Sequence, residues 1–204
     1  MLRRDLIDGV LAGSMIAFGG SVLLSCDNRY LGALLFCIAL LSICWFGFNL
    51  YTGKVGFLVA DHSRRSLAAA FTGLLGNFLG TLLLGLLVAA ALPALREAAL
   101  AACEKRLGQL PLQTFLRGFG CGVLMYVAVW TYREKKTVLG ILFCIPVFVL
   151  SGFEHSIADM FYFSLAGTVF RPAALLFLLL VVLGNSAGGM FIPFLQLLRG
   201  KERL

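Results

Sequence analysis

The chain of 204 residues is 60% hydrophobic, has a mean hydropathy of +0.96 and carries a formal net charge of +7. Soluble domains contain only about 45–50% apolar residues, so this composition indicates a protein that lies in lipid. Its basic residues lie in or beside the connections between apolar runs and form no cluster on a soluble face, which argues against a protein that binds nucleic acid.

Six apolar runs follow one another along the chain, and each is near or above the roughly 20 residues that a membrane-spanning helix needs. The runs are continuous, whereas the strands of a membrane β-barrel alternate apolar and polar residues, so the pattern excludes a barrel. We therefore predict an all-α integral membrane protein with six transmembrane helices. The predicted spans are residues 6–25, 30–60, 66–92, 112–131, 137–168 and 172–197.

The start of the chain fits a first span better than a cleaved signal peptide. MLRR precedes an apolar stretch that ends LLSC, as in a lipoprotein signal, but Asp5 and Asp8 interrupt the apolar core of such a signal and five more spans follow. If the N-terminus is cytoplasmic, ten basic residues fall inside and six outside, which favours an inner (plasma) membrane protein with both termini in the cytoplasm. The inside residues are Arg3, Arg4, Arg64, Arg65, Arg133, Lys135, Lys136, Arg199, Lys201 and Arg203, and the outside residues are Arg29, Arg96, Lys105, Arg106, Arg117 and Arg171.

The sequence divides into two halves with the same pattern. GNFLG at 76–80 and GNSAG at 184–188 share the spacing G-N-x-x-G, and each lies in the third span of its half. The middle run of each half, about 31 residues, is too long for one straight span and is interrupted by FGFNLYTGK or SGFEHS. This pattern is typical of a 3+3 inverted repeat whose broken second and fifth helices meet near the membrane midplane. We predict one transmembrane channel domain, residues 1–204, with halves of about 1–95 and 112–198.

The G-N-x-x-G motifs admit more than one interpretation. Their glycines would let two helix backbones approach closely, which is a common packing device in membranes. Asn77 and Asn185 could cap the ends of broken helices or face the pathway. Irregular backbone at this depth persists only where protein or a water-filled cavity satisfies its N–H and C=O groups, so both interpretations stay open.

The connection between the halves, residues 96–111, begins with REAALAACEKRLG, in which apolar residues recur at helical spacing with charges between them. This spacing predicts an amphipathic helix at the outer membrane interface. Cys26 and Cys103 both lie near that predicted face, so a disulfide between them is possible. The six cysteines have no C-x-x-C spacing and predict no metal site, and nothing else indicates a cofactor.

Four segments resemble the formate/nitrite transporter family, collinearly and over nearly the whole chain: LYTG at 50–53, RGFGCGVLMYVAVW at 117–130, GFEHSIADMF at 152–161 and LGNSAGG at 183–189. The resemblance implies an aquaporin-like protomer of six spans that assembles as a homopentamer with one pathway in each subunit. It implies transport of small monovalent anions of weak acids, such as formate, nitrite, hydrosulfide or a short carboxylate, together with a proton.

The resemblance also assigns residues to the pathway. Thr52 and His155 match the two facing pore residues of the family, and Leu50 and Tyr51 match the loop that narrows the path beside the threonine. The further matches are the apolar constriction positions Phe36, Leu40 and Phe148, and a polar position near the centre, Asn185.

The chain departs from the family pattern at several positions. Asn49 stands where many members have an acid, Tyr51 where phenylalanine is common, and Lys54 where the residue is usually neutral. Gly122 and Asp159 each replace an asparagine. Only about five residues precede the first predicted span, so we expect no amphipathic N-terminal helix. These departures leave the choice among the anions open, although the Tyr51 hydroxyl could suit a more polar ion.

Between Thr137 and Gly167 the only charged or histidine side chains are Glu154, His155 and Asp159. Ionisable groups inside a membrane are costly, so a histidine at this depth indicates a functional role. Burial favours a neutral His155 imidazole and an approaching anion favours the charged ring, so we predict that anion and proton cross as a coupled pair. The Thr52 hydroxyl would hold one oxygen of a carboxylate-sized ion.

The neighbouring charges have two interpretations each. Glu154 is expected to point away from His155 and to bind freed backbone N–H groups, with a direct proton relay as the alternative. Asp159 could pair with Lys54, or Lys54 could lie in an inner vestibule and attract anions.

Two other functions would also fit a polar site inside a membrane protein. An aquaporin-like channel for neutral solutes would share the architecture, but the chain has no paired NPA motif. An intramembrane enzyme built on Glu154, His155 and Asp159 would need a nucleophile or a metal set, and the sequence has no HExxH motif and only one other histidine, His62. The sequence therefore predicts a transport protein rather than an enzyme.

Overall fold

A computed structural model describes residues 2–200, so Lys201 and Arg203 of the predicted inside charges lie outside the described residues. This part of the chain contains helices and no strand. The elements are α1 (Leu2–Ser25), α2 (Arg29–Phe46), α3 (Tyr51–Lys54), a 3-10 segment (Val55–Val59), α4 (Arg64–Ala91), α5 (Pro93–Leu107), α6 (Pro111–Lys135), α7 (Leu139–Ser151), α8 (Ser156–Ala166) and α9 (Pro172–Leu198).

The six predicted spans are all present, and two of them are broken. The helices α1, α2, α4, α6 and α9 are each long and apolar enough to cross a membrane, and α7 with α8 forms a sixth span bent by 56°. The second span continues beyond α2 through α3 and the 3-10 segment. The predicted fold, an all-α membrane protein with broken second and fifth spans, is confirmed.

Both breaks begin in the same way. Gly47 ends α2 and Gly152 ends α7 in the left-handed region, with φ of 73° and 72°. Glycine adopts this conformation at little cost because it has no Cβ. Four residues later the chain re-enters a helix, after Leu50 in the first half and after His155 in the second. By this register Leu50 is the counterpart of His155, and Lys54 is the counterpart of Asp159.

Each half contains one closely packed helix pair, α1 with α4 in the first half and α6 with α9 in the second. These two pairs make the most extensive contacts of the fold. A side chain at Gly80 would overlap the Val10 carbonyl, and one at Gly188 would overlap the Phe119 carbonyl. The glycines of G-N-x-x-G therefore serve helix packing, as small residues do where two membrane helices approach closely.

The amphipathic helix α5 joins the halves, and it begins three residues before the predicted position. Its buried residues Leu95, Ala99 and Cys103 form one face, and the helix packs mainly against α8. All six cysteines are free, so the Cys26–Cys103 disulfide considered from the sequence is not formed. Many large apolar side chains face outward, including Phe71 and Phe46, as expected where a helix face meets lipid.

Candidate functional site

Thr52 and His155 meet at the centre of the fold. The Thr52 Oγ1 and His155 Nε2 atoms are 2.8 Å apart, and both residues are buried. Thr52 lies in the first turn of α3, and His155 is the residue that precedes α8. The two helix breaks thus bring together the pair that the family resemblance indicated.

The hydrogen bonds of His155 define its tautomer. The Ala158 backbone N–H donates to His155 Nδ1 at 3.2 Å, so Nδ1 carries a lone pair and caps α8. A neutral imidazole with an acceptor at Nδ1 has its proton on Nε2, and this N–H donates to Thr52. The Thr52 hydroxyl proton has no other acceptor among residues 2–200. This proton is therefore free to form a further hydrogen bond.

Apolar side chains flank the pair on both sides. Phe148 stacks on the His155 ring at a centroid distance of 5.8 Å, and Phe36 meets Phe148 edge-on at 6.2 Å. These rings and His155 line a cavity of about 160 Å³ next to α5, here called the α5-side cavity. On the other side Leu40 and Leu50 line a cavity of about 240 Å³ that also contains Lys54, here called the Lys54 cavity.

The two motif asparagines cap the broken helices in equivalent ways. Asn77 accepts from the Tyr51 N–H at the start of α3 and donates to the Asn49 and Gly9 carbonyls. Asn185 accepts from the Ser156 N–H at the start of α8 and donates to the Glu154 and Gly118 carbonyls. Of the open interpretations, the structure therefore favours capping for both residues.

Tyr51 does not offer its hydroxyl to the pathway. Its oxygen lies 2.7 Å from Ser186 Oγ, and Ser186 donates to the Val182 carbonyl, so the tyrosine hydroxyl is the donor to Ser186. The suggestion that the hydroxyl serves a more polar ion is therefore wrong for this arrangement. Tyr51 instead ties the first break to α9. Asn49 connects the same break to α1 and α4, because its side-chain amide donates to the Asp5 and Ala69 carbonyls.

Glu154 and Asp159 share a cation from α5. The Arg106 Nε atom lies 2.8 Å from Asp159 Oδ1 and 3.1 Å from Glu154 Oε2, and Gln109 Nε2 donates to Glu154 Oε1 at 2.6 Å. The expectation that Glu154 binds freed backbone N–H groups is wrong: it binds two side chains, because Asn185 already satisfies the break. Burial alone would lower the pKa of Arg106, but the charges of Asp159 and Glu154 raise it above its ordinary value, so the guanidinium stays charged.

The predicted pair between Lys54 and Asp159 is not formed. Asp159 binds Arg106 on the α5 side, whereas Lys54 lines the cavity on the opposite side of the Thr52–His155 pair. The reason lies in the inverted repeat, because counterpart positions of the two halves point to opposite faces. The alternative, that Lys54 lies in a vestibule, agrees with its position.

Sequence reasoning missed the contacts of Arg106, Gln109 and Ser186. Arg106 was assigned to the outer charges, and nothing in its spacing points to Glu154. A further repeat signal was also missed: GVLAG at 9–13 and GFGCG at 118–122 lie at equivalent places in the two halves. The Gly9 and Gly118 carbonyls of these motifs receive the Asn77 and Asn185 amides. Within residues 2–200 no group of three His, Cys, Asp or Glu residues could hold a metal ion.

Comparison with known proteins places this arrangement in a family. The family model described as formate/nitrite transporter matches residues 2–198. The chain belongs to the formate/nitrite transporter family. It is similar to the uncharacterized transporter YwcJ of Bacillus subtilis, with 27% identity over 92% of this chain and 85% of the relative.

Two further relatives match with similar identity. The formate channel FocA of Haemophilus influenzae is 28% identical over 66% of this chain and 52% of its own length. Formate-nitrite transporter 2 of Toxoplasma gondii is 26% identical over 90% of this chain and 44% of its own length. The chain thus spans about half the length of these two relatives.

Solved structures of the family share the fold. A pentameric formate channel with formate bound superposes with a TM-score of 0.82 at 25% identity, covering 98% of this chain and 97% of that one. An FNT family ion channel has a TM-score of 0.78 at 24% identity, covering 98% of this chain and 89% of that one. The formate/nitrite transporter fold therefore extends over nearly the whole of the chain.

Proposed function

We propose that this protein conducts small monovalent weak-acid anions, of the formate, nitrite or hydrosulfide class, past Thr52 and His155. The observation that carries the proposal is the 2.8 Å hydrogen bond between these residues, placed between two cavities and flanked by apolar side chains. Moving an unpaired anion from water into such apolar surroundings costs several kcal/mol of solvation free energy. The relatives named as formate channels and transporters support the substrate class.

In this proposal His155 couples anion passage to a proton. The neutral ring holds the anion through its Nε2–H, next to the Thr52 hydroxyl. A proton that arrives at Nδ1 displaces the Ala158 N–H and makes the ring an imidazolium, which the anion stabilises. The imidazolium passes its Nε2 proton to the anion, and the neutral acid crosses the apolar constriction. Release of the Nδ1 proton and uptake of one at Nε2 restore the resting tautomer.

The proposal also covers the domain organisation, the membrane orientation and the assembly of the protein. We infer that the halves, about residues 1–95 and 112–198, act as one channel domain in the plasma membrane with both termini in the cytoplasm. We also infer that the chains assemble as pentamers, as in the solved formate channel that this chain resembles. The outward-facing apolar side chains supply the surfaces for lipid and for neighbouring subunits.

Flux in proteoliposomes tests the proposal. Formate, nitrite, hydrosulfide and acetate are compared at two pH values, with empty liposomes to measure diffusion of the neutral acids. The wild type should take up formate or nitrite faster at the acidic pH. His155→Asn keeps a side chain that can cap α8 but cannot be protonated, so its flux should lose pH dependence; His155→Ala should lose flux as well.

Several results would contradict the proposal. If both His155 variants retain the rate, the selectivity and the pH dependence of the wild type, the histidine has a structural role and the coupling mechanism is wrong. If the wild type conducts water but none of the four anions, the neutral-solute channel is the better description.

A further inference from the structure

The Lys54 cavity has two basic side chains in its wall. It measures about 240 Å³ and lies beyond the break that holds Thr52, with Leu40 and Leu50 between it and the centre. Lys54 enters it from the end of α3, and Arg133 enters it from the last turn of α6. The wall contains no acidic residue, so two positive charges face a space large enough for a small ion.

Neither charge is neutralised by a contact. Within residues 2–200 neither Lys54 nor Arg133 forms a salt bridge. The Arg133 guanidinium lies 4.2 Å from the centre of the Phe57 ring, and such a contact positions a cation without cancelling its charge. Asp5 and Asp8 act on Lys54 through their charge, but neither forms a salt bridge with it, and Glu134 lies with Arg133 in the wall of a further cavity. Asp61 faces both basic residues across an adjoining cavity. Its carboxylate is held by Ser66 and Ser63 instead, and these bonds lower the pKa of Asp61.

The α5-side cavity is built differently. Its wall has three basic residues, Lys105, Arg106 and Arg117, but also Glu154 and Asp159, both of which bind Arg106. The excess positive charge is therefore smaller there than in the Lys54 cavity. Because Lys54 and Asp159 are counterparts in the repeat, the two mouths of the pathway differ in charge at equivalent positions.

We propose that Lys54 and Arg133 form an anion-binding subsite, which holds a small monovalent oxyanion or carboxylate in the Lys54 cavity before it reaches Thr52. The inference rests on the proposed function, because it assumes that anions pass this way. Two positive charges that form no salt bridge within residues 2–200 concentrate anions at the mouth by their field. Lys54 is only two residues from Thr52, so an ion held there is next to the constriction.

Cys44 provides a reporter inside the cavity. It lines the same wall and is partly accessible. Of the other cysteines only Cys26 is also partly accessible, while Cys37, Cys103, Cys121 and Cys144 are buried, so Cys26→Ser gives a suitable background. The measured quantity is the ratio of the rates at which an anionic and a cationic methanethiosulfonate reagent modify Cys44. Because both reagents react with the same thiolate, the ratio reports the local potential and is independent of the reactivity of the thiol.

The subsite predicts a defined change in this ratio. Each of Lys54→Gln and Arg133→Gln should lower the anionic-to-cationic ratio about fivefold at low ionic strength. This magnitude is expected when a unit charge about 8 Å from the reagent is removed in water. At high salt the decrease should be smaller, because ions screen the charge. The double variant should show both effects. Lys135→Gln removes the same charge from the same helix end, with its ammonium over the Trp130 ring, and should leave the ratio nearly unchanged. Replacing bulky gluconate by formate at constant ionic strength should slow the modification of Cys44 when Lys54 and Arg133 are both present, and not in the variants that lack them.

Three outcomes decide the matter. The expected ratios together with protection by formate support the subsite. Unchanged ratios in the double variant, or an equal effect of Lys135→Gln, overturn it. If the ratios fall and formate protects Cys44 but wild-type liposomes show no formate flux, the subsite stands and the proposed transport function fails.

Discussion

Thr52 and His155 are hydrogen-bonded to each other in the resting molecule, so a substitution of either residue leaves the other without this partner. The His155 Nε2–H has one acceptor, the Thr52 hydroxyl, at 2.8 Å. The hydroxyl in turn is held by a single contact and keeps its proton free for a ligand. The threonine therefore orients the ring, and in the proposed function it would also bind the anion.

Replacing Thr52 by valine, which has nearly the same shape, should slow formate flux about 10- to 100-fold. A hydrogen bond to a charged group is worth about 1.5–3 kcal/mol, and each 1.4 kcal/mol in a barrier is about tenfold in rate. Thr52→Ser keeps the hydroxyl and should retain most of the flux. Flux in proteoliposomes with equal amounts of folded protein measures both variants, and a valine variant as fast as the serine variant would rule out this role.

At the scale of the helices, the breaks depend on two glycines with positive φ. Apart from the adjacent residues of the chain, no atom of residues 2–200 lies within 4 Å of a Cβ built at Gly152. Gly152→Ala should therefore be destabilising only through its backbone conformation, by about 1–2 kcal/mol. Asparagine tolerates the left-handed region better, so Gly152→Asn should lose less. The midpoint of thermal unfolding in detergent tests this, and equal losses for Ala and Asn would contradict it.

The asparagine caps predict a larger effect than an ordinary cap. Asn185→Ala leaves the Ser156 N–H and the Glu154 and Gly118 carbonyls without their partner in a buried place, at about 1–3 kcal/mol for each unsatisfied group. Asn28 caps α2 at an exposed site, so Asn28→Ala should lose only about 1 kcal/mol. Similar unfolding midpoints for the two variants would show that water satisfies the break.

The helix pattern could be predicted from the sequence because long apolar runs specify spans in lipid. The breaks were also predictable, since runs of about 31 residues with polar residues and glycine in the middle do not fit one straight helix. The partners of the polar residues were not. Spacing gives the face on which Asn77 or Asn185 lies, but whether that face meets a helix end or a pathway depends on packing between distant segments.

At the scale of the whole molecule, the repeat is symmetric in its scaffold and asymmetric in its chemistry. Gly47 and Gly152 end equivalent helices, whereas Leu50 stands at the position of His155 and Lys54 at that of Asp159. The sequence shows both members of each pair, but their opposite faces follow only from the inverted arrangement. This is why the pairing of Lys54 with Asp159 was wrong and why the contact of Arg106 with Asp159 was missed.

Arg106 joins the helix between the halves to α8, and it should matter more for stability than any other charge near the pathway. The Arg106 side chain is 21% exposed, and those of Glu154 and Asp159 are 6% and 1% exposed. Arg106→Gln leaves two carboxylates without a cation, and breaking a buried pair in this way is destabilising by about 3–5 kcal/mol. Arg117→Gln removes a charge from the same cavity but breaks no salt bridge within residues 2–200, so it should change stability by less than about 0.5 kcal/mol.

A second substitution separates the charge from the packing of the arginine. Asp159→Asn removes one carboxylate, so the double variant Arg106→Gln, Asp159→Asn should recover part of the lost stability, by more than about 1 kcal/mol. Unfolding midpoints of the wild type, the two single variants and the double variant form a cycle that measures this coupling. If the double variant is as unstable as the sum of the single variants, Arg106 acts through its contact with the Tyr162 ring, 4.8 Å away, and not through its charge. Recovery would instead show that one cation on α5 holds the His155 break in place by neutralising the acids on either side of it.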